Sequence, residues 1–102
     1  MKDLEYEDII EILDGYKIKY KSLHCKGDVD FGLEEIIINP VYNQDVQTLF
    51  HEFAHIYYEE LLEQSLPESI IERESQRYIY DNPSTLKVFD CYLESRTSSV
   101  EY

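Results

Sequence analysis

The sequence predicts an α+β fold in which a small sheet packs against a helical layer. Two observations carry that expectation. Segments of helical and of strand periodicity are segregated along the chain, in the order helix, two or three strands, three helices. The breaks between them hold Gly, Pro, Asn and Asp, and no repeat, low-complexity tract or linker divides the 102 residues, so a single domain over 1–102 is expected.

Residues 3–13, DLEYEDIIEIL, set Leu4, Ile9, Ile10, Ile12 and Leu13 among acids, the pattern of a short amphipathic helix that Asp14-Gly15 closes. YKIKYKSLHC then alternates. Tyr16, Ile18 and Tyr20 face one way and Lys17, Lys19 and Lys21 the other, which predicts a half-buried strand whose lysines mark an edge or meet the chain's own acids. Gly27-Asp28 reads as a turn. The surest of the strands after it covers 35–39, with its Ile36-Ile37-Ile38 run ended by Pro40. From 45 to 62, Val46, Leu49, Phe50, Phe53, Tyr57 and Leu61 recur at helical spacing and predict a long amphipathic helix, central to the domain. QSLPES breaks the chain, and Pro67 suits the first turn of a helix running to about residue 80. After DNPS, the segment TLKVFDCYLESR forms a last helix before a polar tail, TSSVEY, expected to fray over 97–102.

Charge and composition exclude several functions. With 22 acidic and 9 basic side chains the net charge is −13, a surface that repels phosphate backbones, so direct nucleic-acid binding is not expected. A basic protein partner would be steered toward it; the same charge would also serve simply to keep a small protein in solution. No apolar run approaches the ~18 residues of a membrane span, and MKDLEYEDIIEILDG is too acidic for a signal peptide, so a cytoplasmic protein without a membrane partner is expected. Cys25 and Cys91 lack C-x-x-C spacing and read as idle or buried thiols rather than a bridge.

Within the central helix, His51-Glu52-Phe53-Ala54-His55 sets two histidines four residues apart. Residues i and i+4 share one helix face, so both imidazoles can reach one tetrahedral ion at ~2.0–2.1 Å. Glu52 is rotated off that face by about 100° and is poorly placed as a ligand. It is placed to accept the proton of a water acidified by Zn²⁺. The neighbours Leu49, Phe50, Phe53, Ala54, Ile56 and Tyr57 are uncharged, as expected of a ligand helix beside a cleft. Val46, Phe50, Phe53 and Tyr57 are core whether or not the histidines bind metal.

A catalytic zinc needs a third protein ligand. His24, the remaining histidine, ends a lysine-rich strand and reads as a surface or core residue. Glu72 and Glu74 in ESIIERESQRYIY are better candidates, but they differ by ~200° around the helix and cannot both face the pair. The apolar arc of Ile71, Tyr78 and Ile79, with small Ser75 among them, borders Glu72, and favours it over Glu74, which lies beside Ile70.

These residues resemble the gluzincin metallopeptidases, in which H-E-x-x-H is completed by a glutamate in an E-x-x-[SA]-[DN] setting on the next helix. Glu72-Arg-Glu-Ser75-Gln76, with sixteen residues between His55 and Glu72, is similar to that second element. More narrowly, INP…TLFHEFAH…ERESQRYI resembles the pattern I-x-N…TxxHExxH…ExEANxFA of the ImmA/IrrE family of small bacterial and phage metallopeptidases, over about residues 35 to 80. The resemblance implies a minimal zincin-like domain with His51, His55 and Glu72 as Zn²⁺ ligands and Glu52 as catalytic base. Gln76 stands where the family has Asn or Asp, and would bond the outer nitrogen of a histidine ligand. The family's leucine- and proline-rich segment after the second helix is not found here.

Two functions follow as expectations. The first is a zinc-dependent endopeptidase cleaving a specific cytosolic protein, which the resemblance implies to be a transcriptional repressor; a basic DNA-binding protein would suit the charge. Oxyanion stabilisation would fall to one of the ten tyrosines or to His24, and the sequence does not choose. The second is a non-catalytic module that grips a partner through its acidic face on a degenerate metallopeptidase fold. An intact Glu52 favours hydrolysis, because a structural metal site gives it no task.

Overall fold

Helix α1 (Tyr6–Asp14) turns Ile9 and Leu13, one turn apart, into the core and leaves its acids in solvent. This is the first element of a computed structural model that describes residues 4–98. Strands β1 (Lys17–Tyr20), β2 (Gly27–Asp30) and β3 (Glu35–Ile38) follow, then a 3-10 turn at Pro40–Tyr42. Helices α2 (Asp45–Ile56), α3 (Glu68–Asp81) and α4 (Thr85–Ser98) complete an α+β architecture in the expected order. Of the polar tail, residues 97–98 continue α4, and 99–102 lie outside the described residues.

The sheet order is β1-β3-β2, with β1 parallel to β3 and β2 antiparallel to it. Ile36 and Ile38 of the central strand are fully buried. β1 is an edge, and its Lys19 meets Glu35 of β3 at 2.8 Å, so the lysine face fulfils both of its expected roles. Tyr16 is buried and Ile18 packs on the core, but Tyr20 is exposed, against expectation.

Gly27-Asp28, expected as a turn, opens β2 instead. The reason is packing: a Cβ at Gly27 would lie 2.4 Å from Thr48 Cγ2 on α2 and 2.8 Å from the Ile37 carbonyl oxygen. Glycine lets strand and helix meet there. The turn itself falls later, where Asp30 Oδ1 accepts from Leu33 N–H at 3.0 Å and Glu34 takes φ 54°.

α2 is the hub, touching β2, β3, α3 and α4. Leu49, Phe50 and Phe53 are buried as expected, and Phe89 of α4 meets both phenylalanines edge-on with centroids 5.2 Å apart. The helix expected to run unbroken to residue 62 widens at Tyr57–Leu61 into a π turn, closed by Leu62 N–H donating to the Tyr57 carbonyl. That extra residue per turn rotates Tyr58 inward and leaves Leu61 exposed, against expectation. No helix among the described residues is long and apolar enough to cross a membrane.

Candidate metal centre

Three elements build the site, and each places its residues for a local reason. On α2, the i, i+4 spacing brings the His51 and His55 rings together with centroids 5.0 Å apart, edge to face. α3 begins directly after Pro67, whose fixed φ suits a helix entrance, and its first residue is Glu68. A carboxylate there complements the positive end of the helix dipole. β2 contributes Gly27, Asp28 and Val29 to the facing wall of a cavity of about 930 Å³, into which His51, Glu52, His55, Glu68, Glu72, Ser75 and Gln76 also open.

Glu68 reaches both histidines. Its Oε2 lies 2.6 Å from His51 Nε2 and its Oε1 3.0 Å from His55 Nε2. Glu72, the expected third ligand, is one turn further along the same face of α3, and its carboxylate meets the other nitrogen of His51, Nδ1, at 3.1 Å. Gln76, a turn beyond, donates from Nε2 to the Glu72 carboxylate rather than to a histidine. Gln76, Glu72, His51, Glu68 and His55 thus form one continuous chain of polar contacts. Glu74 does not line the cavity; it lies near Tyr58, whose hydroxyl pKa burial raises first and the Glu74 charge raises further. Glu59 approaches His55 Nδ1 only to 3.9 Å.

Glu52 sits apart from the ligand face, as its rotation around α2 requires. It is only 5% exposed. A Cβ on Gly27 would stand 3.2 Å from Glu52 Oε2, so β2 covers the carboxyl from the sheet side. Burial, and then the Asp28 and Glu68 charges, push the Glu52 carboxyl up to about 8. His24 is exposed and off the cavity, and no described tyrosine lines it, so neither expected source of oxyanion stabilisation is present there.

The residues fit a metal ion. One donor atom from each of His51, His55 and Glu68 lies within 4.8 Å of the others. Ligands on a tetrahedral zinc stand ~3.3 Å apart, whereas the Glu68 oxygens lie 2.6 and 3.0 Å from the two Nε2 atoms, so an ion entering between them needs Glu68 to back away by less than about 1 Å. Its side chain is 67% exposed and free to do so. With Nε2 given to a metal, the remaining proton of His51 belongs on Nδ1, where Glu72 accepts it; carboxylate partners of this kind hold ligand rings in place. An acid in the first turn of a helix is an ordinary dipole partner, so residue type alone does not single out Glu68. Its signal was present all the same, since Glu68, Glu72, Ser75, Gln76 and Ile79 fall on one helical face and all line the cavity.

Compared with known proteins, the chain matches no family model, no curated protein and no solved structure.

Proposed function

We propose that this protein is a zinc-dependent endopeptidase of minimal gluzincin type, similar to the ImmA/IrrE family, with His51, His55 and Glu68 holding the metal. The observation that carries the reading is the position of Glu52: a buried carboxyl beside a three-donor cluster, opening into the same cavity. Zn²⁺ bound there would supply Lewis acidity, acidifying water and polarising a carbonyl. Glu52 would take the proton from the attacking water and hand it to the departing amine. In the metal-free chain this carboxyl keeps its own proton at neutral pH and is no base; a dication nearby favours the ionised form and readies it. Glu72 would orient His51, and Gln76 would steady Glu72.

The proposed substrate is a specific cytoplasmic protein with a basic surface, such as a DNA-binding repressor, drawn by the −13 net charge. The exposed free thiols of Cys25 and Cys91 suit a reducing compartment. A second reading, a non-catalytic acidic binding module, is favoured by one observation: the Glu68 carboxylate itself bridges the two histidines. Capture with Glu52→Gln separates the two. Under the peptidase reading this variant holds an intact partner that the wild-type protein releases as fragments. An intact partner recovered with both proteins supports the binding module instead.

A further inference from the structure

The cavity is strongly acidic, with Asp28, Glu59, Glu68 and Glu72 on its walls. Hydrolysis of a peptide places growing negative charge on the carbonyl oxygen, and these walls repel it. Among the described residues one basic residue other than the histidine pair lines the cavity, Lys26. Arginine is absent from the lining, and so are the tyrosines and His24.

Lys26 is presented by a fixed piece of backbone. The connection from β1 to β2 is clamped by Asn39, which is 3% exposed. Its Nδ2 donates to the carbonyls of Leu23 at 2.9 Å and Cys25 at 3.1 Å, and its backbone N–H donates to the Lys26 carbonyl at 2.8 Å. On the other side, Gly27 is pressed against Thr48 and Glu52 of α2. The residue between these two anchors has no ion-pair partner among the described residues, whereas Lys19 is taken up by Glu35.

Resting on the peptidase reading, we propose that Lys26 receives the negatively charged oxygen of the substrate, the carbonyl oxygen of the scissile peptide as it gains charge. Asn39 is then a positioning residue that acts through the connection it clamps. A lysine head group is a compact charge with three donors, and a hydrogen bond from it to an anionic oxygen is stronger than one between neutral groups.

The test uses the full chain loaded with Co²⁺, whose visible spectrum reports ligands entering at the metal, titrated with inorganic phosphate as a tetrahedral oxyanion. Lys26→Met is expected to raise the phosphate Kd roughly tenfold, and Lys26→Arg to restore most of the affinity. Imidazole, a metal ligand without anionic oxygen, is expected to bind wild type and both variants alike. Phosphate binding unchanged in Lys26→Met overturns the proposal. So does a parallel loss of imidazole affinity, which would make Lys26 a structural support of the site. Failure of the wild-type chain to take up Co²⁺ at all would instead overturn the metal centre, and this proposal with it.

Discussion

Gly27 faces Glu52 where β2 crosses α2, and a Cβ on the glycine would fall 3.2 Å from the glutamate Oε2. The strand covers the carboxyl that the proposed chemistry depends on, and it packs a sheet residue against α2. Gly27→Ala sets its new methyl against Thr48 Cγ2 of α2 and within 2.8 Å of the Ile37 carbonyl oxygen of β3, an atom held in the sheet, so β2 has to shift against both neighbours. Expected is a loss of about 1–3 kcal/mol in urea unfolding.

In the proposed site Glu68 takes the ligand role that the sequence assigns to Glu72, and Glu72 takes the contact with a histidine's outer nitrogen that it assigns to Gln76. Glu68→Gln weakens a proposed ligand, and zinc affinity measured against a chromogenic chelator is expected to fall beyond the range of Glu72→Gln. The latter loses only the hold on His51 Nδ1, worth roughly 10–100-fold. Glu74→Gln, off the cavity, is expected to leave affinity unchanged.

The raised Glu52 pKa has a definite sign for stability. From its ordinary 4.5 the carboxyl moves to about 8 in the metal-free fold, so between those values the native state holds a proton that the unfolded chain releases. This contribution is fully present below pH 4.5 and is lost as pH rises toward 8. Its slope is at most about 1.4 kcal/mol per pH unit. Unfolding of metal-free wild type and Glu52→Gln, compared from pH 5 to 8, is expected to show a wild-type deficit that widens with pH. Parallel curves would show that Glu52 is not desolvated.

Asn39→Ala leaves the Leu23 and Cys25 carbonyls without their side-chain donor and frees the connection that carries Lys26. A destabilisation of about 1–3 kcal/mol is expected. Faster reaction of the exposed Cys25 thiol with a chromogenic disulfide would report the loosened connection, and an unchanged rate would show that other contacts hold it.

The α+β order, the central helix, the edge character of the lysine strand and the facing histidines were all legible, because each rests on periodicity over several residues. Gly27 was not. Glycine marks turns and close approaches alike, and only the position of Thr48 across the helix interface distinguishes them. Leu61 was lost because a single π turn shifts the register without leaving a clear mark in the residues. For Glu68, the face argument that set Glu74 aside reaches one turn further back, to a residue whose place at a helix start supplies a sufficient ordinary reason for it.

Metal content measures the central claim most directly. Protein purified after zinc supplementation and gel filtration is expected to carry one equivalent of zinc. Glu52→Gln should retain it, while His51→Ala and Glu68→Gln lose it. Wild-type protein that emerges without zinc, or Glu68→Gln that keeps the full equivalent, would contradict the account.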